Sequence, residues 1–138
     1  MEAGREAGRS EVKSRNAVIA FAFIPVILAV TWFLFLRSPV PDIAAEQAEQ
    51  LGAIADGWYP QWTGKDVPES EWPPVVKRFR PKSVRVTPEG LYIVKERSGV
   101  QERGVFVHLT VSSFQLTPGG DPSYRLIRDR VYWYEIKG

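Results

Sequence analysis

Cysteine is absent from the 138 residues, and there is a single histidine, His108. The first absence excludes a disulfide framework, a thiolate nucleophile and any cysteine-ligated zinc or iron–sulfur site. The second leaves a two-histidine metal site without its ligands in one chain. Neither a phosphate loop nor a dinucleotide fingerprint is present, and Gly119-Gly120 alone marks a turn. Charge of one sign does not dominate either, with 18 Lys and Arg against 16 Asp and Glu. One stretch, however, carries no charge at all.

That stretch is residues 17–36, AVIAFAFIPVILAVTWFLFL, in which only Thr31 bears a hydroxyl. At about 1.5 Å per residue, a helix of this length covers the hydrocarbon core of a bilayer. Pro25 removes one backbone donor, which membrane spans tolerate. The run is longer than the apolar region of a cleaved signal peptide. It ends in Leu36-Arg37-Ser38-Pro39 rather than in a small-x-small cleavage site, so an uncleaved signal anchor is expected. Arg5, Arg9, Lys13 and Arg15 precede it, and Arg37 alone follows closely. This asymmetry places the N-terminus in the cytosol and the C-terminal part outside, at a cell membrane such as a bacterial inner membrane.

The chain therefore divides into a disordered cytosolic tail (1–16), a transmembrane helix (17–36), a stiff proline-bearing spacer (37–41) and an extracytoplasmic domain (42–138). In that domain DIAAEQAEQLGAIAD, from Asp42 to Asp56, reads as a helix with Ala44, Ala48, Leu51 and Ala55 on one stripe, stopped by Gly57. The stripe suits packing on a sheet or against a second copy, so the oligomeric state stays open. Residues 58–66 read as a loop and Pro73 to Phe79 as a short helix. Strands are expected at Ser83–Thr87 and Leu91–Lys95, joined by a Pro88-Glu89-Gly90 turn with Gly90 at positive φ, and at Gly104–Val111 and Arg130–Ile136. Ser123 to Ile127 fits either turn or strand. The fold class is α+β: one N-terminal transmembrane helix, then a small domain whose antiparallel sheet of about four strands is covered by one or two helices.

Chemistry is sparse. His108 alternates with Val107 and Leu109 in a strand, sharing a face with Phe106 and Thr110, and no nucleophile or acid accompanies it at a motif spacing. Glu69 and Glu71 precede Trp72 on a proline-flanked loop without a rigid scaffold, Asp121-Pro122-Ser123 is a turn with Asp121 capping the backbone that follows it, and Ser112-Ser113 lacks the glycine frame of a nucleophile elbow. A hydrolase using such carboxylates is a remote alternative; catalysis and cofactors are not expected.

Two clusters point to binding instead. Lys77, Arg78, Arg80, Lys82 and Arg85 place five cations in nine residues without an acid. Trp58, Tyr59 and Trp62 gather aromatics in the loop expected over 58–66, where they serve either as contact residues or as cover for the sheet. Tyr132 and Tyr134 fall on one strand face and Trp133 on the other. The expected partner is a protein at the membrane, with the chain an accessory or assembly factor. Cell-wall glycan or anionic lipid is the alternative partner, and nucleic acid is not expected outside a membrane.

Overall fold

The computed structural model describes residues 24–32 and 40–138, and the chain divides into two compact units, Met1–Pro39 and Val40–Gly138. In the first unit residues 24–32 are helical (α1), with Ile24, Val26, Ile27, Leu28, Val30 and Trp32 exposed and the Thr31 hydroxyl donating to the Ile27 carbonyl at 2.7 Å. The expected tail (1–16), the two ends of the expected span (17–23 and 33–36) and the spacer up to residue 39 lie outside the described residues. Among the described residues no helix is long and apolar enough to cross a membrane.

The second unit is a small α+β domain. Helix α2 (Ala45–Trp62) leads into β1 (Lys65–Asp66), a 3-10 turn at Glu69–Glu71 and the short helix α3 (Pro74–Lys77). The strands β2 (Ser83–Val86), β3 (Gly90–Ser98), β4 (Gln101–His108), β5 (Ser123–Arg128) and β6 (Val131–Ile136) follow. Among the described residues they form one antiparallel sheet of six strands in the order β1-β2-β3-β4-β6-β5. The strand β6 slots between β4 and β5, so the connection 109–122 reaches past it.

Alternation along each strand separates two apolar layers. Val84, Val86, Leu91, Ile93, Val105, Val107, Val131 and Trp133 face α2, whose Ala48, Leu51 and Ala55 pack with them. On the other face Tyr92, Phe106, Tyr124 and Tyr134 form an aromatic layer, with Leu116 of the 109–122 connection against it. Tyr132 and Tyr134 thus share a face opposite Trp133, as the alternation requires.

Several boundaries differ from the sequence reading. The first helix starts later, at Ala45, where the Gln47 side chain accepts the Ala44 N–H at 3.2 Å, and Ala44 is exposed rather than on the buried stripe. It also continues through Gly57 and Pro60 to Trp62, so Trp58, Tyr59 and Trp62 belong to a helix and not a loop. Glycine costs about 1 kcal/mol and proline about 3 kcal/mol within a helix. Packing of Trp58, Tyr59 and Trp62 against the core offsets this, as tertiary contacts commonly do. The sheet has six strands rather than four because Lys65–Asp66 adds a short edge and Ser123–Arg128 is a strand. The hairpin between β2 and β3 forms as expected, but Gly90 is not at positive φ. It is required by close approach, since a Cβ there would overlap the Val107 carbonyl and the Phe106 ring. The third strand begins at Gln101 and ends at His108, after which Thr110 turns away to meet α2.

Candidate functional site

The five expected cations do not stay together. Lys77, Arg78, Arg80 and Lys82 are exposed, and among the described residues none of them forms an ion pair. Arg80 adopts φ 50°, in the left-handed region where glycine is the easy residue. Its N–H donates to the Lys77 carbonyl at 3.0 Å, and this turn redirects the chain from α3 into β2. Arg85 leaves the group because β2 alternates: Val84 and Val86 enter the core beneath α2, and Arg85 must emerge on the aromatic face.

There Arg85 meets Glu102. The guanidinium donates from Nη1 to Oε2 at 3.0 Å and from Nη2 to Oε1 at 2.6 Å, a bidentate pair. Arg97 Nη2 lies 3.1 Å from Oε2, and the Tyr134 hydroxyl donates to Oε1 at 2.8 Å. The Glu102 side chain is 4% exposed, whereas Arg97 is 59% exposed. Burial alone would push the Glu102 carboxyl up. The hydrogen bonds from Arg85 and Tyr134 and the charges of Arg85 and Arg97 outweigh it and hold the group below its ordinary range. The Arg85 guanidinium also lies 4.7 Å from the centre of the Tyr92 ring. The Tyr92 and Tyr124 hydroxyls are 2.8 Å apart, and burial pushes both phenols up.

A bulge in β3 between Val94 and Glu96 creates this arrangement. Without it, Glu96 would stand opposite Glu102. With it, Glu96 pairs with Arg103 and Arg97 with Glu102, two opposite-charge pairs on opposite faces. Their spacing about Gly99-Val100 is a signal that could have located this cluster in the sequence, where no element is expected between Leu91–Lys95 and Gly104–Val111. An open groove of about 520 Å³ adjoins the hairpin, with Lys82, Arg97 and Arg103 and the acids Glu96, Glu102 and Glu135 in its lining.

A second polar cluster ties α2 to the sheet. Arg130 donates to Asp56 from Nη1 to Oδ1 at 3.1 Å and from Nη2 to Oδ2 at 3.0 Å, and also to the His108 carbonyl at 3.0 Å. The Thr110 hydroxyl donates to Asp56 Oδ2 at 2.9 Å. Asp56 is held below its ordinary range: burial opposes this, and hydrogen bonds from Arg130 and Thr110 prevail. Gly52 makes room for the guanidinium, since a Cβ there would overlap it.

The remaining sequence candidates are structural in their contacts. Trp58, Tyr59 and Trp62 are half-buried and pack on the main core. The Trp72 indole donates to the Val67 carbonyl at 2.9 Å, so its polar edge is turned inward beside the exposed Glu69 and Glu71. His108 Nε2 lies 3.0 Å from the Phe114 carbonyl. Asp121 does not cap the residues that follow it; its carboxylate accepts the Lys137 N–H at 2.8 Å and the Gly138 N–H at 2.9 Å. Among the described residues no group of three or more His, Asp or Glu is placed to hold a metal ion. No protein-family model matches the chain, and neither the curated proteins nor the solved structures compared with it contain a match.

Proposed function

We propose that this is a membrane-held binding factor: residues 17–36 anchor the chain, the N-terminus is cytosolic, and the domain outside captures an acidic protein partner at the cell envelope. It acts by binding and needs no cofactor. The observation that supports this best is the clustering of cations: Lys77, Arg78, Arg80 and Lys82 lie within six residues, all exposed and with no ion pair among the described residues. An arginine at φ 50° costs on the order of 1 kcal/mol that glycine would not, which favours a use for its charge. Cations clustered on an exposed turn speed encounter with an acidic surface and lose that advantage in salt. The exposed apolar side chains of α1 agree with contact to lipid, and an anchor raises the domain's effective concentration for partners at the same membrane.

Photo-crosslinking in intact membranes from a probe replacing exposed Pro74, beside the basic turn, tests this. The expected result is a discrete protein adduct that disappears in the K77E/R78E/R80E variant. Adducts to lipid or glycan alone would instead make the basic turn a headgroup or wall-polymer site, and no adduct would remove the proposal.

A further inference from the structure

The two edges of the sheet are built differently. At one edge β1 is two residues long, charged and exposed, and it runs into Val67, bonded to Val84, and then Pro68. Short, charged and proline-stopped edges discourage strand addition. At the other edge β5 has six residues, Ser123–Arg128, and pairs with β6 on one side only among the described residues. The Tyr124 N–H points away from β6, because it donates to the Thr117 carbonyl at 2.9 Å. Antiparallel alternation then turns the backbone N–H and C=O of Leu126 outward as well, and among the described residues they have no partner.

The side chains along this edge divide by sign and polarity. Arg125 stands opposite Trp133 and Arg128 opposite Val131, so both lie on the α2 side of the sheet. Both are exposed and without a described ion pair. Leu126 lies on the aromatic side and is 58% exposed. Phe114, 39% exposed, packs edge-on against Tyr124 with ring centres 5.9 Å apart on the same side. A strand added here would meet two cations on one face and apolar side chains on the other. A second copy docking through the same edge would gather four arginines on one face, which like-charge repulsion opposes.

We infer that the β5 edge accepts an extended segment of another protein in which acidic residues alternate with apolar ones, the acids meeting Arg125 and Arg128 and the apolar residues covering Leu126 and Phe114. Main-chain hydrogen bonds from Leu126 supply the pairing, and the two faces supply the selection. The inference refines the protein-binding reading above, and it places a contact at the sheet edge farthest from β1 and β2 rather than on the basic turn.

The test uses the full chain in lipid nanodiscs and two synthetic peptides, one alternating Glu and Val, the other Lys and Val. The Glu peptide is expected to bind and to slow hydrogen exchange at the Leu126 amide, with a preference of about tenfold over the Lys peptide. Reversal in R125E/R128E should invert that preference. In L126P the outward donor is gone while pairing with β6 is kept, so binding of either peptide should disappear with the melting transition preserved. In the K77E/R78E/R80E variant any binding of the Glu peptide to the basic turn is lost, but protection of the Leu126 amide should remain. If that variant alone lost binding, the peptide would sit on the basic turn, and the edge assignment would fail while protein binding survived. Equal affinity for both peptides, absence of binding, or self-association lost in L126P would each overturn the inference.

Discussion

Glu102 shows how one buried carboxylate organises its surroundings. It accepts hydrogen bonds from Arg85 and Tyr134 and pairs in charge with Arg97, and its nearly complete burial means that these partners replace water the group can no longer reach. Glu102→Gln keeps the shape but strands the Arg85 guanidinium, so a loss of about 3–5 kcal/mol is expected in urea unfolding, towards the lower end because Arg85 is 25% exposed. Replacing the pair together, R85M/E102L, should recover much of that loss, since an apolar pair of similar volume avoids the desolvation of both charges. A double variant no better than E102Q would mean that Arg97 and Tyr134 depend on the carboxylate. The pH dependence follows from the same contacts. Glu102 and Asp56 are held below their unfolded values, so their contribution is complete above the ordinary carboxylate range. It is lost as pH falls through and below that range, and acid unfolding monitored by Trp fluorescence should begin there. At the alkaline end the sign reverses for Tyr92, Tyr124 and Tyr134. Burial pushes these phenols up, so ionisation favours the unfolded chain as pH rises past the ordinary phenol range.

Among the elements, α2 carries the largest departure from local propensity. Gly57 and Pro60 should end a helix, and they do so only when nothing beyond them packs. Here Trp58, Tyr59 and Trp62 lie beyond or between them and rest on the core. Trp58→Ala and Trp62→Ala are therefore each expected to lower stability by about 1–3 kcal/mol, less than full burial would give. An unchanged melting transition with weakened partner capture would return these residues to the interaction surface. Trp133, 5% exposed on the α2 side of β6, is expected to cost about 3–5 kcal/mol on change to alanine, measured by denaturant midpoint. Gly104 is the complementary case in β4. A Cβ there would overlap the Ile93 carbonyl, so even Gly104→Ala should disrupt the pairing of β3 with β4.

At the scale of the molecule, Val40–Gly138 holds both apolar layers within its own residues. A fragment spanning 40–138 should then unfold cooperatively in solution, and loss of a thermal transition would show that it depends on the preceding unit. The proposed anchor makes a separate prediction. The full chain should stay with membranes through alkaline extraction, and externally added protease should digest the domain but spare the first sixteen residues in intact spheroplasts. Release by alkali, or the opposite protection, would remove the proposed topology.

Some features of this protein are properties of its residues in order. The uncharged run 17–36, the bias of Lys and Arg to its N-terminal side, the alternation that separates Trp133 from Tyr132 and Tyr134, and the β2–β3 hairpin about Pro88-Glu89 all depend on near neighbours. Periodicity and charge counts read such features directly. Other features exist only because residues far apart in the chain meet. Whether Arg85 joins the basic turn or a buried carboxylate depends on which face of β2 is covered. The place of β6 between β4 and β5, which leaves β5 at the edge, depends on pairing that no local pattern encodes. The helix continues past Gly57 because a core assembled from six strands offers more to Trp58 and Trp62 than local propensity takes away. Local chemistry thus determined the pieces. Burial and long-range strand pairing, whose energies belong to the assembled sheet, decided which side chains were left exposed.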